Sequence, residues 1–232
     1  MAKVIAFDVN ETLLDLRGLD GPFTEVFGDA ALRPLWFAQM LQLSFVGGLV
    51  GDYVDFTTAQ HAALRMLAER TGTALTDDEA DRIVGGMSAL SPHPEVPAAL
   101  TRLRGTSLLM VALTNSVGAV AEAQLEHAGL RALFDAVLSA DAVRHLKPEP
   151  QPYRSVAEHF GVPIAEVRLV AAHSWDVSGA LAAGCRAALV RRPGVTASPI
   201  GAQPDIVAPD LAATVERIIE VDRPRARADA RR

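Results

Sequence analysis

Four groups of side chains in this chain have the chemical type and placement to carry a reaction. Asp8 follows the short apolar run Val4-Ile5-Ala6-Phe7, and a carboxylate at the end of a buried strand is a candidate nucleophile; as a lone Asp it reads more readily as the first residue of a turn. Thr114-Asn115 ends a second apolar run, Leu108 to Leu113, where it is either an anion-holding pair or a strand-to-helix turn with Asn as cap. Lys147 lies in His145-Leu146-Lys147-Pro148-Glu149-Pro150-Gln151-Pro152. Three prolines stiffen that stretch and hold the ammonium in one place. Finally His173-Ser174-Trp175-Asp176 follows the run Val167 to Ala172. It offers a histidine with an ordinary pKa near 6.5, suited to act as general base, a carboxylate, and an indole that suits the wall of a pocket.

These groups need a scaffold that gathers strand ends. Short apolar runs alternate with amphipathic segments of ten to fifteen residues from about Val96 onwards, which predicts βαβ units and a parallel sheet. In such sheets ligands bind beyond the carboxyl ends of the strands, where all four groups fall. Between Arg17 and Ala89 the alternation stops and the pattern is helical. Ala31 to Val46 is expected to be one helix, with Pro34 in its first turn and Gly47-Gly48 ending or kinking it. Phe56 to Arg70 is expected to be a second, stopped by Gly72. Thr76 with Glu79 has the form of a capping box for a third. Helices are further predicted over Val117–Ala128, Pro152–Phe160, Val177–Ala183 and residues 209–221, and strands over Ala136–Ser139 and Ala187–Val190.

The segment Phe7-Asp8-Val9-Asn10-Glu11-Thr12-Leu13-Leu14-Asp15, together with Thr114-Asn115, Lys147-Pro148-Glu149-Pro150 and Trp175-Asp176, resembles the four ordered motifs of the haloacid dehalogenase (HAD) superfamily. The resemblance runs from Lys3 to about Val221. It implies an α/β fold: a Rossmann-like parallel sheet core flanked by helices (residues 1–15 and 91–222), with a helical C1-type cap (16–90) inserted after the first strand and a disordered tail (223–232). It implies that Asp8 attacks the substrate and becomes covalently esterified. Lys147 would keep that carboxylate ionised, Asp176 would position Lys147 and the hydrolytic water, and His173 would serve as base. Val9, Asn10, Thr114, Asn115, Phe37, Trp175, Tyr153 and Arg33 would contact the substrate.

The phosphatases of the superfamily carry a second Asp where this chain has Asn10, and an amide cannot give and recover a proton as a carboxyl does. Ala172 likewise stands where those enzymes place an acidic Mg²⁺ ligand. The dehalogenase branch therefore fits better, in particular the type II, (S)-2-haloacid-specific enzymes. That branch carries an Arg directly after the Leu-Trp pair of its first long cap helix, to grip the substrate carboxylate. Here Leu35-Trp36 is followed by Phe37, so another cation, for which Arg33 and His173 are the candidates, holds the carboxylate, or the substrate differs. The expected activity is hydrolysis of a small 2-haloacid to a 2-hydroxy acid, without a metal cofactor. The alternatives are a Mg²⁺-dependent phosphatase on a small phosphate ester and a non-catalytic small-acid binder.

Composition bounds the partners. A net charge of −6 over 232 residues gives no reason to expect nucleic acid or a membrane surface. The start, Met1-Ala2-Lys3-Val4-Ile5, reads as a strand and not as a signal peptide. The single Cys185 fits a core residue in a reducing cytoplasm. A homodimer through the helical insertion is compatible with its apolar periodicity, which packing onto the core explains equally.

Overall fold

The computed structural model describes residues 1–222; the expected disordered tail, 223–232, lies outside the described residues. Six parallel strands form one sheet: β1 (Val4–Phe7), β2 (Leu109–Thr114), β3 (Ala136–Ser139), β4 (Val167–Ala171), β5 (Arg186–Val190) and β6 (Ile206–Ala208), in the spatial order β3-β2-β1-β4-β5-β6. β1 is central. Phe7 pairs in register with Ala112 on one side and with Val170 on the other. Asp8, Thr114-Asn115 and Ala172-His173 therefore leave the sheet at one edge, as the position of the chemistry-bearing groups requires.

Both faces of the sheet are covered, which is why its strands read as unbroken apolar runs. Side chains alternate between faces along a strand. Val4 and Ala6 pack with Tyr153, Val156, Val177 and Ala180, from α7 (Pro150–Phe160) and α8 (Ser174–Ala183). Ile5 and Phe7 face the other way, toward Leu100, Leu125 and Val215 of α5 (Val96–Arg104), α6 (Gly118–His127) and α9 (Leu211–Asp222). Cys185 is buried beside the first of these clusters.

Four helices occupy the chain between β1 and β2 before α5: α1 (Asp20–Phe27), α2 (Leu32–Val50), α3 (Phe56–Thr71) and α4 (Asp77–Gly86). Asp55 caps α3 by accepting the Thr58 amide, and Thr76 and Glu79 form the reciprocal capping box of α4. The Trp36 indole donates to the Gln60 carbonyl at 3.0 Å, tying α2 to α3. The chain enters and leaves this insertion through one seam: Asp15 N–H donates to the Ser91 carbonyl and His93 N–H to that of Leu13, each at 2.9 Å.

The structure corrects several expectations. α2 runs through Gly47 and Gly48 to Val50. Those glycines permit close approach and do not end the helix: a Cβ on Gly47 would lie 2.7 Å from the Asp52 carbonyl oxygen, and one on Gly48 would lie 2.7 Å from a Glu149 carboxylate oxygen. α8 begins at Ser174, so Trp175 and Asp176 sit in its first turn, where the helix dipole favours a carboxylate. α7 begins two residues early, at Pro150. The short edge strand β6 and helix α1 had no clear signal in the sequence.

Candidate active site

Asp8 emerges from β1 into the middle of a charge cluster built from four separate segments. The Lys147 ammonium lies 2.8 Å from Asp8 Oδ1 and 2.6 Å from Asp176 Oδ2, and donates to the Leu113 carbonyl at 3.0 Å. All three donors of the ammonium thus have partners. Asp8, Lys147 and Asp176 are 5, 1 and 0% exposed. On the other oxygen of Asp8, the Thr12 hydroxyl donates at 2.6 Å while accepting the Ala172 N–H at 2.8 Å. His173 Nδ1 lies 3.1 Å from the same Oδ2, and its Nε2 lies 2.8 Å from Glu11 Oε2.

The electrostatics follow from these contacts. Burial alone would push the Asp8 carboxyl up, but the Lys147 charge and the hydrogen bond and charge of His173 hold it well below the usual carboxylate range. Burial would lower the Lys147 ammonium, yet Asp176 and Asp8 hold it above its ordinary value. Asp176 is pushed up by burial, against the pull of Lys147, with the Asp8 charge adding to the rise. Burial would also lower His173, and the hydrogen bonds and charges of Asp8 and Glu11 instead raise it to about 9. With its pKa above the ordinary value that the sequence suggests, His173 thus favours the imidazolium at neutral pH.

The other expected residues have defined places. Asn115 accepts the Lys147 N–H at 2.8 Å and donates to the Lys147 carbonyl at 3.1 Å, so both ends of its amide are engaged in holding the lysine's backbone. Thr114 turns its hydroxyl to the Ser116 N–H. Tyr153 is buried behind Asp176 and donates to its Oδ1 at 2.6 Å. Burial and the Asp176 charge hold that phenol well above its ordinary pKa, so it remains a donor. Asn10 is engaged by the Ser116 hydroxyl and the Gln124 amide. Val9 is fully buried, and its carbonyl accepts the Leu13 and Leu14 amides.

Phe37 and Trp175 each stack on His173, with ring centroids 5.8 and 5.2 Å away and interplanar angles of 23° and 26°. Arg33, one turn before Phe37 on α2, donates from Nε to Asp20 Oδ1 at 2.7 Å and approaches Glu11 Oε1 at 3.8 Å.

Sequence reasoning missed Glu11, Thr12, Ser116 and Gln124. Thr12 and Glu11 lay inside the most informative stretch of the chain, but Glu11 reaches His173 through a left-handed backbone (φ 61°) that no pattern announces in a non-glycine residue. Among the described residues, no three His, Cys, Asp or Glu side chains are grouped so as to hold a metal ion.

A parallel sheet whose central strand delivers a buried, lysine-paired aspartate to its carboxyl edge defines a hydrolase of the haloacid dehalogenase type. The family model for haloacid dehalogenase-like hydrolases matches residues 2–184, and the chain belongs to that family. It is 30% identical over 92% of its length to an (S)-2-haloacid dehalogenase of Pseudomonas sp. (strain YL), spanning 93% of that protein. It is 28% identical over 93% of its length to haloacetate dehalogenase H-2 of Moraxella sp. (strain B), spanning 97% of it. Its fold superimposes with a TM-score of 0.88 on an L-2-haloacid dehalogenase of Xanthobacter autotrophicus with chloropropionic acid covalently bound. The match covers 95% of this chain and 99% of that one at 26% identity.

Proposed function

We propose that this enzyme hydrolyses small (S)-2-haloacids to 2-hydroxy acids through an ester on Asp8. The observation that carries the reading is the Asp8 carboxylate, dry, ionised and held by Lys147, Thr12 and His173. In the first step an Asp8 oxygen bonds to C2 of the substrate. The electron pair of the carbon–halogen bond leaves with the halide, and the configuration at C2 inverts. Splitting the displacement in two is the gain of covalent catalysis. The His173 imidazolium supplies the positive charge near the substrate carboxylate that Phe37 cannot, and Arg33, 3.8 Å from the Glu11 carboxylate, is the second cation.

In the second step water adds to the Asp8 carboxyl carbon. The bond from that carbon to the ester oxygen then breaks, and the hydroxy acid departs with that oxygen, which takes the proton of the Asp8 carboxyl group so formed. Ester formation removes the Asp8 charge that kept His173 protonated, and the ring gives up one proton to solvent. The imidazole, backed by Glu11 at 2.8 Å, then takes the proton of the attacking water. Val9, Asn10, Thr114 and Asn115 frame this space through their backbone. Tyr153 and Asp176 keep Lys147 aimed.

We take residues 16–90 as the cap over this site. No metal enters the scheme, because the position between the two carboxylates is filled by the Lys147 ammonium and Asn10 offers an amide. No helix of the described residues is long and apolar enough to cross a membrane; a cytoplasmic location, with no nucleic-acid or membrane partner, goes with this reading.

The test is halide release from (S)-2-chloropropionate in EDTA, followed by single turnover in ¹⁸O water. Chloride release with ¹⁸O in the peptide containing Asp8 is the expected result. Phosphate-ester hydrolysis that needs Mg²⁺, with no halide released from any haloacid, would overturn the reading.

A further inference from the structure

The segment Ser91-Pro92-His93-Pro94, by which the chain returns from the insertion, reads in the sequence as a linker. In the structure its histidine does something more specific. His93 Nε2 lies 3.0 Å from the carbonyl oxygen of Glu11. A carbonyl can only accept, so the ring donates. Burial and the nearby Arg192 charge push this imidazole below its ordinary pKa, so it is neutral at pH 7. The next carbonyl along, that of Thr12, accepts Arg192 Nη2 at 2.7 Å. Arg192 follows β5, on the far side of the sheet's centre, and is itself paired with Glu95. Two donors from distant parts of the chain therefore grip consecutive carbonyls of the nucleophile loop.

The two gripped residues are the two whose side chains reach the reacting groups. Glu11 contacts His173 Nε2 at 2.8 Å, and Thr12 contacts Asp8 Oδ2 at 2.6 Å. Glu11 also holds a left-handed conformation (φ 61°) that costs a non-glycine residue on the order of 1 kcal/mol or more and persists only where its surroundings fix it. Backbone rotation to an ordinary conformation would swing its carboxylate off His173. The prolines on either side of His93 limit its own freedom to give way.

We propose that His93 and Arg192 form a carbonyl clamp on the nucleophile loop, the His93 half serving the reaction's second step and the Arg192 half its first. His93 fixes Glu11 so that its carboxylate backs His173, and Arg192 fixes Thr12 against Asp8. Both are positioning residues and touch no substrate. The assignment of His93 rests on the reading of His173 and Glu11 as the base pair above.

The experiment follows a single turnover of (S)-2-chloropropionate, with halide release reporting the first step and intact-protein mass reporting the esterified enzyme. His93→Phe keeps the ring's bulk and removes the donor, whereas His93→Gln restores an N–H at the place of Nε2. His93→Phe is expected to accumulate ester, with its hydrolysis slowed about tenfold or more and chloride release changed far less; His93→Gln recovers most of the hydrolysis rate. Arg192→Met is expected to slow halide release, because Thr12 loses its hold on Asp8.

His173→Asn serves as reference. If it accumulates ester and His93→Phe, folded, does not, the clamp is wrong and the base reading stands. If His173→Asn releases halide yet accumulates no ester, the base reading itself has failed. Equal defects in both steps for His93→Phe and His93→Gln would make the residue merely structural. Should His93→Phe not fold, failure of His93→Gln to hydrolyse faster than His93→Ala overturns the proposal.

Discussion

The sharpest consequence of the site's geometry is that Asp8 sets the protonation of His173. Replacing Asp8 by Asn keeps the shape and removes one charge. With unit charges 3.1 Å apart, an effective dielectric constant of about 20 gives roughly 5 kcal/mol of attraction. Burial opposes part of this. The net rise of His173 from 6.5 to about 9 corresponds to roughly 3 kcal/mol. Glu11, whose side chain is one-third exposed, is left to oppose burial alone in Asp8→Asn. The imidazole is then expected to titrate near or below its ordinary value, a fall of about two units or more.

The assay is nitrogen-detected NMR of the imidazole, assigned by its loss in His173→Asn. A second readout is stability. Because the folded pKa lies above the unfolded one, the stabilisation by protonated His173 is complete below about pH 6.5 and disappears as pH rises through about 9. The wild type should therefore lose about 3 kcal/mol over that window by urea unfolding, and Asp8→Asn should lose much less of it. A His173 that titrates at the same pH in both proteins would refute the reasoning, as would a wild-type value near 6.5. In turnover, kcat/KM should decline above about pH 9 as the cation that receives the substrate is lost.

Three further outcomes are expected. Lys147→Met leaves two buried carboxylates without their shared cation, so it should destabilise the fold by about 3–5 kcal/mol and reduce halide release at least a hundredfold, read by urea unfolding and a chloride assay. Gly179→Ala puts a Cβ 2.5 Å from Pro148 Cβ and 2.7 Å from the Tyr153 hydroxyl, and should cost about 1–3 kcal/mol with lower activity, whereas Gly85→Ala, with nothing within 4 Å, should be neutral or stabilise by up to about 1 kcal/mol. Arg168, fully buried between Asp222 and Asp205, should on replacement by Met cost about 3–5 kcal/mol in unfolding while kcat of the folded enzyme stays within about twofold.

What was legible in the sequence was what depends on local pattern. Val4–Phe7 is apolar on both faces because helices cover both sides of the sheet, and that run announced both the strand and the place of Asp8. Lys147 was legible because its proline-rich stretch, Lys147-Pro148-Glu149-Pro150, resembles a family motif at the expected place in order; a Lys alone reads as surface. What was not legible depends on groups that meet only after folding. Asn115 and Tyr153 look like residues that would face a ligand, yet one holds the Lys147 backbone and the other holds Asp176. Gly47 and Gly48 look like helix breakers because the sequence does not show the Asp52 carbonyl and the Glu149 side chain lying where their Cβ atoms would be. His93 reads as part of a linker because its partner is a backbone carbonyl 82 residues away, and a carbonyl has no residue type to recognise.

Phe37, where the resemblance leads one to expect an arginine, follows the same logic. Phe37 presents a flat apolar ring to His173, and Trp175 presents another. Ring faces carry negative potential and favour a cation between them. The stack therefore suits the imidazolium of the free enzyme, and an arginine at position 37 would set a second charge against it. A fixed guanidinium would hold substrate equally well before and after ester formation. In the proposed scheme an imidazolium whose charge depends on Asp8 differs between the two states: it is cationic while halide departs and neutral once the ester needs a base. One residue can serve both steps because the group that raises its pKa is the group that the first step consumes. That coupling requires His173 to touch Asp8 directly and to have a second, unreacted carboxylate at its other nitrogen, which are the two contacts it makes.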